Sequence, residues 1–290
     1  MPLLRPDGSE AISPTAHYTG FVWARNGLSP PGLATLEGRA LFESLRAPMA
    51  ISDLLGGGTL EAYLLARHRA IDALLQRAIE ERGVGQVIEI AAGMSGRGVR
   101  FAQRYADRLL YVEADLPAMA ERKRRTLARL NALSERHRVE DLDALRDSGS
   151  RSLPELVRPL DQNLGLAIIT EGLLGYLEFS AVRAMWRRFA AVLSTFREGS
   201  YISDIHIGET QDLRVKAFRL VLAAFVRGPV HLHFGEEPEV VGALTGAGFA
   251  SAEIHRAQEL AASGNDSGAN GAAAKDSAPR LAHTIEARTA

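Results

Sequence analysis

Residues 87–115, VIEIAAGMSGRGVRFAQRYADRLLYVEAD, decide the fold. An apolar strand breaks into a glycine-rich turn, a helix follows, and a second apolar strand ends in carboxylates. In an open parallel sheet a ligand sits beyond the carboxyl ends of the strands, where a glycine turn lets it approach the backbone and an acidic residue grips ribose hydroxyls. Gly93 and Gly96, with Glu113 and Asp115 closing the next strand, hold those positions. The turn itself reads Ala91-Ala92-Gly93-Met94-Ser95-Gly96, so the first glycine of a full G-x-G-x-x-G is missing. The motif needs support from the rest of the chain.

A regular alternation supplies that support. Strands over 86–91, 109–114 and 137–140 are separated by helices over 97–106 and 117–131, and a helix near 152–158 follows. Residues 164–170, LGLAIIT, form an almost wholly apolar strand of the kind buried on both faces at a sheet centre, and it stops at Glu171. A helix over 180–193 carries Val182, Met185, Trp186, Phe189 and Leu193, and SYISDIHI at 200–207 gives a fifth strand ending at His206. Residues 209–236 read as a lid insertion and 237–247 as a helix. Strands at 250–258 and 282–288 make an antiparallel terminal hairpin. The small-residue tract between them, 261–279, is too polar to pack and is expected to be a disordered loop. The predicted fold is α/β, a doubly wound, mostly parallel seven-stranded Rossmann-like sheet over 85–290, preceded by an arm and helical cap over 1–84.

Within that cap, the first forty residues are expected to be irregular. They set His17, Tyr18, Phe21 and Trp23 among Pro, Gly and Asn, as an arm that covers a substrate or merely buries its rings. From Leu60 to Ile79 the residues Leu60, Leu64, Ile71, Leu74, Leu75 and Ala78 recur at helical spacing. Arg67 falls near the centre of this stripe, and a guanidinium facing a core must find an anion, internal or on a ligand.

Composition excludes several classes. The 290 residues, 46% hydrophobic, suffice for one large core, or a core plus a cap. Lys and Arg number 34 against 35 Asp and Glu, so no global field draws the protein to nucleic acid or anionic lipid. The run Glu121-Arg122-Lys123-Arg124-Arg125 reads as a solvated helix face. There are no cysteines, hence no disulfide frame and no thiolate metal site. The absence of a signal-like segment and of any transmembrane-length apolar run makes a cytoplasmic, non-membrane protein the expectation. Oligomeric state stays open, a homodimer included.

Five stretches in order, Ala66-Arg67, IEIAAGM at 88–94, YVEADLP at 111–117, EDL at 140–142 and ITEGLLGYL at 169–177, carry a resemblance covering residues 58–207. The chain resembles the leucine carboxyl methyltransferase family of S-adenosylmethionine-dependent enzymes, and within it the bacterial polyketide O-methyltransferases of the tetracenomycin type. The resemblance implies a class I methyltransferase sheet binding S-adenosylmethionine and releasing S-adenosylhomocysteine. It assigns Arg67 to the methionine carboxylate, the turn at Ala91 and Gly93 to the methionine portion, and Asp115, or else Glu113, to ribose. Asp141 and Leu142 would flank adenine, and Glu171 would face the aminoacyl end. Two positions depart from the family pattern: Ala91 stands where glycine is common and Ser95 where aspartate is, although Arg97 keeps the arginine that usually follows.

Chemistry gives separate grounds for that assignment, because a zwitterionic sulfonium needs a buried cation for its carboxylate and anions near its ammonium, and Arg67 and Glu171 offer both signs. The competing reading is that these two pair with each other and only fix helix to sheet. Methyl transfer is an in-line displacement in which the protein contributes alignment, water exclusion and an ionised nucleophile. A carboxylate acceptor needs no base, whereas a hydroxyl does, and His206 beside Asp204 is the candidate. His17, Tyr18 and Trp23 from the arm, with Tyr176 after the fourth strand, are candidates for the acceptor pocket. His231 and His233 share a face if extended, yet no third ligand accompanies them, so no metal is expected. The reading is an O-methyltransferase acting on a small natural-product-like carboxylate or hydroxyl. A protein C-terminal carboxyl methyltransferase, a nicotinamide-dependent oxidoreductase and a non-catalytic cofactor binder are the alternatives.

Overall fold

A computed structural model describes residues 14–54, 59–208, 231, 233–263 and 282–289. Its centre is a seven-stranded sheet. The strands are β1 (Val84–Ile90), β2 (Leu110–Asp115), β3 (His137–Asp141), β4 (Gly165–Thr170), β5 (Gly199–His206), β6 (Ser251–Arg256) and β7 (Ala282–Arg288), in the order β3-β2-β1-β4-β5-β7-β6. β1 to β5 are parallel, while β7 runs antiparallel to β5 and to the edge strand β6. The order reverses between β1 and β4, so a crevice opens at their carboxyl ends.

The helices are α1 (Pro14–Arg25), α2 (Leu36–Leu54), α3 (Leu60–Arg82), α4 (Arg97–Arg104), α5 (Pro117–Arg129), α6 (Leu153–Val157), α7 (Phe179–Leu193), α8 (Glu237–Thr245) and α9 (Ala257–Ser263). Side chains alternate across each strand, so the sheet buries two faces. Ile88, Ile90, Val112, Leu166, Ile168 and Tyr201 meet Trp186 and Phe189 of α7. On the other face Val87, Tyr111, Ala167, Ile169 and Ile202 meet Ile71, Leu74, Leu75 and Ala78 of α3, with Phe101 of α4. Each such fully buried aliphatic side chain contributes about 1.5–3 kcal/mol.

α3 is the element that makes the site. It starts at an N-cap, where Thr59 Oγ1 accepts from the Ala62 N–H at 3.0 Å, and stops at Gly83 in the left-handed region. Its carboxyl half covers the sheet, while Leu60, Tyr63, Leu64 and Leu65 in its amino half pack with Tyr18 and Val22 of α1 and Phe42 and Met49 of α2. One helix thus ties the cap to the sheet, ending at Arg82 just before β1 and packing on the strands that follow.

Two expectations change, at the arm and at the start of the terminal loop. The arm is a helix over Pro14–Arg25. His, Thr and Gly in its middle disfavour a helix locally, and tertiary contact overrides them: a side chain on Gly20 would begin 2.7 Å from Met94 Cβ, and one on Gly93 would begin 3.4 Å from Ala16 Cβ. So α1 lies on the glycine turn. Residues 261–263 finish α9, and the remainder of the expected loop, 264–279, lies outside the described residues. Of the expected lid, 209–230 and 232 also lie outside them. His231 donates its backbone N–H to Gly175 O at 2.9 Å, and Phe234 bridges to Ile207, so this segment returns beside the ends of β4 and β5.

Candidate active site

At the glycine turn, Ala91 and Gly93 both adopt positive φ, 56° and 51°. Ala91 therefore sits where an L-residue is strained by roughly 1–2 kcal/mol. Asp115, at the end of β2, accepts the Gly93 N–H at 2.8 Å with one oxygen and the Leu116 N–H at 2.8 Å with the other, and so braces the turn from beneath. Leu142 is buried in the core and donates its N–H to Asp115 O at 2.8 Å, and Asp141 pairs with Arg124 at 3.0 Å. These residues line the ends of β1, β2 and β3 in the predicted order.

Glu113 is a correction. It lies two residues inside the strand, about 7 Å from its end, and points beneath α4. There it pairs with Lys123 and meets His137 Nε2 at 2.7 Å, all three side chains fully buried. The space exists because residue 98 is glycine: a Cβ there would collide with both Glu113 and His137. Burial alone would raise the Glu113 carboxyl, but Lys123 and His137 hold it below the ordinary carboxylate range. A carboxylate so enclosed does not reach ribose.

At the other side of the crevice, Arg67 and Glu171 pair with each other, Nε to Oε1 at 3.0 Å. Glu171 also accepts from Arg97 Nη2 at 2.6 Å and faces His68 Nδ1 at 2.8 Å. Its two oxygens are therefore taken by the protein, which corrects the picture of a carboxylate standing open to an ammonium. Arg67 differs. It gives Nη1 to Asp204 Oδ2 at 3.3 Å, also hydrogen-bonds the Tyr63 side chain, and carries its Nη2 beside Gly172. Glu171, Asp204 and Tyr63 engage three of its five N–H groups, and the others can serve a ligand. Asp204 completes the corner by accepting the Gly172 N–H at 2.7 Å, which fixes that glycine at φ 68°.

Behind this corner lies a charged cluster that the sequence reading did not assemble. Arg97, fully buried, reaches Asp72 and Glu89, each at 2.6 Å, as well as Glu171, and Arg100 holds the second oxygen of Asp72 at 2.5 Å. His68 sits between them with its Nε2 2.9 Å from Arg100 Nη2. Burial, then Arg97, lowers the His68 pKa, so the ring is neutral, donating from Nδ1 to Glu171 and accepting at Nε2 from Arg100. Burial would raise Asp72, but the Arg100 and Arg97 guanidiniums outweigh it and hold it at about 2. Three guanidiniums, Arg67, Arg97 and Arg100, thus meet four carboxylates, Asp72, Glu89, Glu171 and Asp204, leaving one net negative charge at the crevice floor. A signal for it existed: Glu89 interrupts an apolar strand, as Arg67 interrupts an apolar stripe.

Tyr63, one turn before Arg67 on α3, lies with its Oη 2.6 Å from His206 Nε2. The acceptor-pocket candidates have other partners. His17 Nδ1 is 3.0 Å from Thr35 Oγ1, Tyr18 is buried against Phe42, and Trp23 is buried with its ring 4.7 Å from that of His68, backing the charged cluster. Tyr176 Oη donates to Thr15 Oγ1 at 3.1 Å, linking the loop after β4 to α1. His231 and His233 stack in parallel, 5.8 Å apart. Among the described residues the one grouping with metal-ligand spacing, Glu253, His255 and Glu286, is at the far sheet edge, where Arg77 and Arg82 already pair with Glu286. No helix among them is long and apolar enough to cross a membrane.

Residues 36–190 match the family described as leucine carboxyl methyltransferase. A candidate S-adenosyl-L-methionine-dependent methyltransferase of Mycolicibacterium smegmatis is 32% identical over 138 residues, 48% of this chain and 44% of that relative, so the alignment spans less than half the length of either. Among solved structures, a DUF574 family protein from Streptomyces avermitilis superposes with a TM-score of 0.62 at 15% identity, over 95% of this chain and 97% of that one. A candidate methyltransferase from Thermobifida fusca gives 0.59 at 14% identity, over 98% and 97%. At such identities the likeness speaks for the fold alone.

Proposed function

This chain belongs to the leucine carboxyl methyltransferase family, and from that premise we propose that it is an S-adenosylmethionine-dependent O-methyltransferase acting on a small molecule. The observation that carries the reading is the corner at the ends of β4 and β5. There Arg67 keeps N–H groups in reserve beside Gly172, above a cluster with one net negative charge. The cofactor has one carboxylate against an ammonium and a sulfonium, hence one net positive charge, so both its anionic group and its overall charge fit. Arg67 would take the carboxylate. Asp204 and the cluster behind it would offset the ammonium. The turn at Ala91 and Gly93 would lie along the methionine portion, with Asp115 and Asp141 toward ribose and Leu142 against adenine.

When bound, the cofactor supplies the electrophilic methyl group. The chain would contribute alignment and exclusion of water, the latter by α1, whose Ala16 and Gly20 lie on the turn. The resemblance to the polyketide O-methyltransferases supports a natural-product acceptor. The test is thermal shift with S-adenosylmethionine, S-adenosylhomocysteine and NAD, followed by transfer of tritiated methyl from S-adenosylmethionine into an extract of the source. Stabilisation by the first two and a labelled small product are expected. Stabilisation by NAD alone would replace the reading with an oxidoreductase, and cofactor binding without any turnover would reduce it to a binder.

A further inference from the structure

α3 and β5 face each other through two parallel rungs. Arg67 and Tyr63 are one helical turn apart, and Asp204 and His206 are two residues, about 7 Å, apart on one strand face. The inner rung is the ion pair Arg67 to Asp204 at 3.3 Å, and the outer rung is Tyr63 to His206 at 2.6 Å, with the rings stacked 5.7 Å apart at 24°. The inner rung holds opposite charges, the outer one sets a phenol against an imidazole, and a Tyr63–Arg67 side-chain hydrogen bond joins the two. We propose that Tyr63 and His206 form a proton relay for a neutral hydroxyl acceptor, Tyr63 Oη taking the acceptor's proton as it passes its own to His206 Nε2. This deepens the function proposed above and rests on it.

The balance closes without a further reagent. The acceptor O–H bond breaks toward Tyr63, the Tyr63 O–H bond breaks toward His206, and the acceptor oxygen forms a bond to the methyl carbon while the carbon–sulfur bond gives its electron pair to sulfur. His206 ends as an imidazolium and releases its proton to solvent. The neighbours favour this direction. The Arg67 guanidinium stands 5.6 Å over the Tyr63 ring and hydrogen-bonds its side chain, where it steadies electron density on the phenol oxygen, and Asp204 is two residues from His206 on the same strand face, where a carboxylate favours an imidazolium. Burial keeps Tyr63 protonated until that moment. A carboxylate acceptor would leave the relay idle and would approach a cluster already in negative excess.

The experiment compares the full chain with its Tyr63→Phe and His206→Asn variants. Calorimetric titration with S-adenosylhomocysteine tests the underlying reading, long-range proton–nitrogen NMR reads the His206 nitrogens, and tritiated methyl transfer is measured with 2-naphthol and 2-naphthoic acid as probes. We expect unchanged S-adenosylhomocysteine affinity in both variants, a displaced His206 Nε2 signal in Tyr63→Phe, and about 10²-fold slower transfer to 2-naphthol in each. If the wild type fails to bind S-adenosylhomocysteine, the function and the relay both fall. With binding intact, an unmoved Nε2 signal, wild-type transfer to 2-naphthol by either variant, or methylation of the acid alone overturns the relay only. Where neither probe turns over, the nitrogen signals decide.

Discussion

Two buried carboxylates, Glu113 and Glu171, look alike in sequence, each following an apolar strand pattern, and the structure gives them different surroundings. Glu113 is enclosed with Lys123 and His137 beneath α4, and its charge is consumed within the fold. Glu171 is also saturated, but its partner Arg67 keeps N–H groups toward the crevice, and the cluster around it carries a charge excess. On the proposed function, what separates the two clusters is incomplete pairing at the strand ends. Burial is common to both.

That comparison breaks most visibly at Arg97. Arg97→Met leaves Glu89, Asp72 and Glu171 short of a cation and should cost at least about 3–5 kcal/mol, read from urea unfolding. A loss under 1 kcal/mol would mean that the cluster is loosely held. Lys123→Met removes one cation from the enclosed Glu113 and should cost about 3 kcal/mol. At temperatures where that variant stays folded, its affinity for S-adenosylhomocysteine should match the wild type, since this cluster has no access to the crevice.

Arg67→Met should separate the regions from the other direction. Loss of a charge-assisted contact of about 1.5–3 kcal/mol lowers S-adenosylhomocysteine affinity roughly 10- to 100-fold, measured by calorimetry. Acid tests both clusters together. Asp72, Glu113 and Glu171 have folded pKa values below their ordinary 3.8 and 4.5, so the stability they contribute is present above those values and is lost as pH falls below them, for Asp72 toward about 2. His68 acts in the same direction at higher pH. Its lowered pKa means that the unfolded chain binds the proton first, so stability starts to fall below its ordinary 6.5. Urea midpoints should decline gently from pH 6.5 to 4.5 and steeply below; a flat profile to pH 3 would contradict the pairing.

The smallest effect is expected at the turn. Ala91→Gly relieves positive-φ strain of roughly 1–2 kcal/mol and adds about 0.5–1 kcal/mol of unfolded-chain entropy. Stability should rise by no more than about 1.5 kcal/mol, and a loss would indicate that the Ala91 methyl packs against the fold.

The sheet was legible because its strands are long apolar runs cut by glycine or charge, and each of β1 to β5 was readable to within two residues of its ends. Arg67 was legible for the same reason, as a charge in an apolar stripe. Its neighbours Asp72, Arg97 and His68 sit on elements whose other faces are polar, so nothing local distinguishes them from solvated residues. α1 was illegible because its stability comes from Gly20 and Ala16 meeting the turn seventy residues later. Glu113 was misread because sequence spacing gives a distance from the glycines but not which helix covers the side chain.

On the proposed function, Arg67 holds a donor ready for a ligand carboxylate at the strand ends. Calorimetric titration of S-adenosylhomocysteine into the wild type and Arg67→Met tests it most directly. Saturable one-to-one binding that the variant loses by at least tenfold is predicted, and equal binding by both, or none by the wild type, would contradict it.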